Sequence, residues 1–184
     1  MPVTAQTYEL VALEDPEQKW ELYDGQLQSK PEMTAEHNDV MSQLVHQLQN
    51  QLDQSMFRVR SNSSRVHVVD AESYFVPDVM VVPTSAFRAR LGNPGRIEFY
   101  DIPLPLIVEI WSPSTGRFDV GAKLARYQER EDAEIWRIHP YERTLTRWIR
   151  QLNGEYTRHE LTGGNIRLVA LPDVTVNFDA LFDF

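Results

Sequence analysis

Two segments of this chain, "YFVPDVMVV" (74–82) and "PLIVEIW" (105–111), are almost continuously apolar. Strands of that composition are covered on both faces. They therefore demand a central sheet with material packed on each side, which limits the chain to a layered α/β or α+β architecture. Each run also carries one carboxylate, Asp78 and Glu109. Burying an unpaired charge is costly, so each must be protonated, paired or bound to a cation.

The elements around these strands follow from periodicity and turn chemistry. "WELYDGQLQ" reads as a hairpin, with Asp24-Gly25 supplying the left-handed turn residues. From Thr34 to about Leu52 the apolar positions Val40, Met41, Leu44, Val45, Leu48 and Leu52 recur at helical spacing. Thr34 is the expected N-cap, with Pro31 just outside. "MFRVRS", "RVHVVD" and "AEIWRIHP" are strand-like, and Asn153-Gly154 marks a hairpin within "RTLTRWIRQLNGEYTRHEL". Residues 83–103 read as a long connection with a helical turn near "TSAFRARL". After the loop "SPSTGRFD", Asp119 is expected to cap a helix reaching about Arg130. A last strand near "DVTVNF" and a short helix "DALF" end the pattern. The expectation is one domain, 1–184, with one central sheet and two main helices.

Composition narrows the function classes. A formal net charge of -9 argues against a passive, sequence-independent DNA binder, because phosphate neutralisation needs Lys and Arg in excess. It leaves room for an enzyme that handles nucleic acid with its basic residues confined to one face. Arg88, Arg90 and Arg96 in "FRARLGNPGR" fit either such a face or a solvated loop. The absence of cysteine excludes disulfides and thiolate metal sites. The N-terminus lacks the basic start and apolar run of a signal peptide, and no run approaches the length of a membrane span, so a cytoplasmic protein with no membrane partner is expected.

The chemistry centres on the two carboxylates. On neighbouring strands, Asp78 and Glu109 would jointly hold Mg²⁺ or Mn²⁺, which take oxygen ligands and retain several waters. Lys123, on the following helix, is placed to supply a further cation. Asp119, Lys123 and Tyr127 at i, i+4 and i+8 fall close to one face. The alternatives are structural: Glu109 in a salt bridge, Asp78 as a turn residue after Pro77, Asp119 and Lys123 as an exposed pair. Ser112, Ser114 and Thr115 form no G-x-S-x-G elbow. The histidines lack zinc-binding spacing, and only His37 is kept as a site neighbour.

"VPDVMVV", "LIVEIWSPST", "FDVGAKLARYQERED" and "AEIWRIHP", in that order, resemble the Uma-two family of the PD-(D/E)XK nuclease superfamily. The resemblance extends to "YELVALEDPEQKWELYDGQL", "AEHNDVMSQLVHQL" and "LPDVTVNFDALF", almost the whole chain. It implies a restriction-endonuclease-like fold, a four-stranded mixed core sheet flanked by helices, with additional β-hairpins. It makes Asp78 the motif Asp and Glu109 the motif Glu. The superfamily's Lys two residues beyond the Glu is absent, with Trp111 in its place, and the role passes to Lys123. The implied metal ligands are Asp78, Glu109 and the Ile110 carbonyl, with Glu36, His37 and Tyr127 as neighbours. Glu36 is equally explained by helix-dipole chemistry in a first turn.

The resemblance also implies a homodimer acting on nucleic acid, DNA in the first instance, as a Mg²⁺-dependent endonuclease. The competing reading is a nuclease-like module that binds or regulates without cleaving. Replacing Asp78 or Glu109 by Ala is expected to abolish cleavage with the fold intact.

Overall fold

The computed structural model describes residues 2–113 and 119–184, with backbone only at 119 and 120. The expected loop residues Ser114 and Thr115 and the expected cap Asp119 therefore lie outside the described side chains. Strands β1 (Trp20–Tyr23) and β2 (Gln26–Ser29) form the expected hairpin. Asp24 and Gly25 both have positive φ. A Cβ at Gly25 would lie 2.5 Å from Pro2 Cβ, so glycine is needed there for space as well as for φ. Helix α2 (Ala35–Gln51) starts where the capping signal placed it, with Thr34 Oγ1 accepting from His37 N.

The run "YFVPDVMVV" is not one strand. It divides into β5 (Ser73–Phe75) and β6 (Val79–Pro83), which belong to different sheets. Pro77 lacks the N–H that a central ladder requires, and the chain passes from one sheet to the other through Val76–Asp78. The expectation of one central sheet is corrected accordingly.

A five-stranded sheet has the order β2-β1-β5-β4-β7, with β4 Arg65–Val68 and β7 Phe99–Tyr100. A six-stranded sheet has the order β11-β10-β9-β8-β6-β3, built from β3 (Phe57–Ser61), β8 (Leu106–Ile110), β9 (Glu134–His139), β10 (Thr144–Arg150) and β11 (Tyr156–Leu161). Only β8 and β9 in this sheet run parallel. Strands β9, β8, β6 and β3 of this sheet supply the expected four-stranded mixed core, with β3 at its edge, and β10–β11 is the added hairpin. A small pair, β12 (Asn165–Arg167) and β13 (Thr175–Asn177), and a 3₁₀ turn at Asp179–Phe182 close the chain.

Alternation along β6 and β8 sends side chains to two cores. Val79, Val81, Leu106, Val108 and Ile110 pack under Val40, Leu44 and Leu48 of α2 and the C-terminal segment. Met80, Val82 and Ile107 pack with Val66, Phe75 and Tyr100 of the five-stranded sheet, and with Leu124 and Tyr127. The last two belong to α4 (Leu124–Glu129), which continues a π-helical turn at Asp119–Lys123.

Two further helices complete the fold. Helix α3 (Thr84–Arg88) is the helical turn expected after β6. Helix α1 (Ala5–Glu14), which the sequence pattern did not reveal, packs Tyr8 and Ala12 on Leu22, Tyr74 and Phe99. Its amphipathic pattern is weak because Leu10 and Leu13 face outward. Among the described residues no helix is long and apolar enough to cross a membrane.

Candidate functional site

The antiparallel register Val79↔Val108 places Asp78 opposite Glu109, one step beyond the last paired residues. The two odd carboxylates of the sequence thus meet at one end of the six-stranded sheet. Asp78 is 1% exposed and Glu109 7%.

Asp78 is held by three donors. Its Oδ2 accepts from Ile110 N at 2.7 Å and from His37 Nε2 at 3.0 Å, and its Oδ1 accepts from Lys30 Nζ at 2.8 Å. Burial on its own would raise the carboxyl's pKa. Lys30 and His37 outweigh burial and hold it well below the usual carboxylate range. His37 must donate from Nε2 to make its bond. Its buried Nδ1 has no hydrogen-bond partner among the described residues.

Glu109 sits among donors from α4 and the turn before it. Its Oε1 accepts from Tyr127 OH at 2.5 Å and lies 3.5 Å from Lys123 Nζ. Lys123 is 1% exposed, and its Nζ is closer to Glu21 Oε1, at 2.9 Å. The helical lysine therefore does reach back to Glu109. The expected face shared by Lys123 and Tyr127 converges on one carboxylate oxygen.

Of the remaining expected neighbours, His37 is in the site and Glu36 is not. Glu36 is half-buried and accepts from Tyr141 OH at 3.1 Å. That bond and the backbone around its own first-turn position lower its pKa, so the helix-terminus account of Glu36 stands. At Ile110 the described contact with Asp78 comes from the backbone N–H.

Two site residues escaped the sequence reading, Glu21 and Lys30. Both come from the first hairpin and its exit, and both serve the segment where the chain changes sheets. Val76 N donates to Glu21 Oε1 at 2.8 Å, and Lys30 Nζ donates to Val76 O at 2.5 Å. These side chains satisfy backbone groups at the break between β5 and β6. The available signal for Glu21 was the one that exposed Glu109, a carboxylate between apolar neighbours, here Trp20 and Leu22. Lys30, beside Pro31, carried no such mark.

Other buried charges are structural. Arg130 pairs with Asp132 at 3.1 Å and donates to the carbonyls of His67, Tyr100 and Ile102. Glu134 accepts from Trp136 Nε1, Val169 N and Ala170 N. Arg90 pairs with Asp101 and Arg96 with Glu9, and both lie over the Phe99 ring. That internal pairing favours the solvated-loop reading of "FRARLGNPGR".

In donor chemistry the site suits a hard divalent cation. Two opposed carboxylates are the usual protein share of a Mg²⁺ shell that keeps several waters. Among the described residues no third His, Asp or Glu joins them in a ligand group. Asp78 and Glu109 are thus the residues that would hold such an ion, with backbone oxygen and water completing its shell.

A mixed sheet flanked by helices, with an acidic pair at the end of its middle strands, defines a restriction-endonuclease-like domain. The crystal structure of a protein from Anabaena variabilis, titled a putative nuclease of DUF820, has this fold. It superposes with a TM-score of 0.78 over 98% of each chain at 20% identity. The family model Uma2, described as "Putative restriction endonuclease", matches residues 5–179, and the chain belongs to that family. A Synechocystis relative, the uncharacterized protein slr1290, is 29% identical over 110 residues, which is 60% of this chain and 54% of the relative's length.

Proposed function

We propose that the chain is a metal-dependent phosphodiesterase of the PD-(D/E)XK type, an endonuclease acting on DNA. The observation that carries this reading is the opposed pair Asp78 and Glu109 with Lys123 beside Glu109. Asp78, Glu109 and the Ile110 carbonyl are the proposed ligands of Mg²⁺ or Mn²⁺. Such a cation supplies Lewis-acid stabilisation of charge on a phosphate oxygen.

The chain's own groups have separable tasks. Lys123, anchored by Glu21, presents a fixed ammonium beside Glu109, where it orients the attacking water or stabilises negative charge developing on phosphate. Tyr127 fixes the Glu109 carboxylate through its hydroxyl, and His37 fixes Asp78. Burial keeps these charges in a medium where they act strongly. Membership in Uma2 and the likeness of fold support a nucleic acid substrate. A homodimer is the assembly proposed with it.

The first test is Mn²⁺ binding by calorimetry on wild type and Glu109→Ala, with thermal melts alongside, since an ion that binds only the folded chain raises its melting temperature. Binding that vanishes in Glu109→Ala supports the site and opens a substrate screen with DNA. Absence of binding both in wild type and in Lys30→Gln overturns it.

One observation favours the second reading, a nuclease-like module that does not cleave. Both oxygens of Asp78 are already engaged, and Lys30 neutralises its charge. On that reading nucleic acid binds with the same affinity with or without divalent ions, and no cleavage accompanies it.

A further inference from the structure

We propose that Lys30 is the site's resident cation: its ammonium holds Asp78 when no divalent ion is bound and releases Asp78 Oδ1 when one enters. Ion binding is then an exchange of one cation for another. This inference rests on Asp78 being a ligand of the proposed ion.

The geometry at Asp78 is asymmetric in a way that calls for exchange. Oδ2 already accepts from His37 Nε2 and Ile110 N, so Oδ1 is the oxygen left to an incoming ligand. Lys30 Nζ occupies it at 2.8 Å, with the side chains 3% and 2% exposed. An ammonium and a divalent ion on one buried carboxylate oxygen repel strongly at low dielectric. The two cannot share Oδ1 at little cost.

At Glu109 the ammonium is held less closely than at Asp78. That ammonium, Lys123, stands 3.5 Å away and is drawn toward Glu21 at 2.9 Å. Lys30 is the ammonium in direct hydrogen-bond contact with Asp78 Oδ1.

Lys30 is also built to move. Besides Asp78 it has a second acceptor, Val76 O at 2.5 Å, so Nζ can leave Oδ1 and keep one hydrogen bond. Its flexible stem permits that shift without displacing β2. In the metal-free chain the arrangement removes the penalty of a bare buried carboxylate. The consequence is weak divalent affinity with a stable empty site.

The experiment is calorimetry with Mn²⁺ alone on the full chain, comparing wild type, Lys30→Met and Lys30→Gln. Lys30→Gln removes the charge while retaining a side-chain N–H donor on a shorter stem. The expected result is Mn²⁺ binding at least tenfold tighter in a folded variant. Its melting temperature should be below wild type without ion and recover when Mn²⁺ is added. In wild type, the ¹⁵N-lysine side-chain signal of Lys30 should shift on saturation with Mg²⁺, a readout that does not depend on any variant folding. Equal or weaker binding in the variants, or an unmoved Lys30 signal at saturation, overturns the exchange and leaves the ion site standing. No binding in any of the proteins overturns the exchange and the metal-dependent reading together.

Discussion

Asp78→Asn is the substitution that most directly tests the buried network. It removes one charge and one acceptor from a residue on which three donors converge. The Asn amide offers a single acceptor oxygen, so at least one of Lys30, His37 and Ile110 N is left facing an N–H. Lys30 then carries a buried ammonium that keeps its hydrogen bond to the Val76 carbonyl but has lost its counter-charge. Breaking one side of a buried ion pair costs about 3–5 kcal/mol. For a chain of this length that lowers the melting temperature by roughly 6–20 °C.

The assay is urea and thermal unfolding at pH 7 of wild type, Asp78→Asn, Lys30→Met and the double variant. The double variant should lose less than the sum of the two singles, because neither charge is then left unpaired. An Asp78→Asn loss under about 1 kcal/mol, or additive losses in the double variant, refutes the claim that these groups form one buried unit. The outcome also bears on the expectation that replacing the motif Asp leaves the fold intact. The network makes Asp78 a stability determinant, and Glu109, which is more exposed, the cleaner site for a functional variant.

The remaining predictions follow from the same contacts. The Asp78 carboxyl lies below its ordinary value of 3.8 when folded, so the unfolded chain takes up this proton first. Its contribution to stability is therefore complete above about pH 4 and is lost as pH falls toward the folded pKa; the acid limb of a pH–stability curve should flatten in Asp78→Asn. Tyr127→Phe removes a hydroxyl that donates to Glu109 at 2.5 Å. The expected loss is about 1.5–3 kcal/mol in urea unfolding, with weaker Mn²⁺ binding by calorimetry. Arg130→Met leaves Asp132, still held by the Leu104 N–H, without its counter-charge and takes the guanidinium donor from three carbonyls. It should cost about 3–5 kcal/mol while leaving the Mn²⁺ affinity of the folded fraction unchanged, and a large change in that affinity would tie Arg130 to the site.

The legible parts of this protein were those written in local pattern. The 3.6-residue spacing from Val40 to Leu48 and the capping Thr34 placed α2 within a residue of its ends. The apolar runs around Asp78 and Glu109 marked buried strands with an unexplained charge. Lys123 and Tyr127 lay on one helical face, and that face does converge on Glu109. Helix α1 was missed because its two leucines, Leu10 and Leu13, are exposed, which leaves little periodic signal.

The sequence by itself determined which strands are central, where the main helix begins, and which two carboxylates needed partners, since these depend on neighbours a few residues away. Tertiary structure alone decided that "YFVPDVMVV" spans two sheets, that Asp78 stands opposite Glu109, and that Glu21 and Lys30 complete the site. Lys30 meets Asp78 across 48 residues, and Lys123 meets Glu21 across 102. Pairings at such separations are set by strand register and by which backbone groups a sheet leaves unsatisfied, and no local periodicity encodes either.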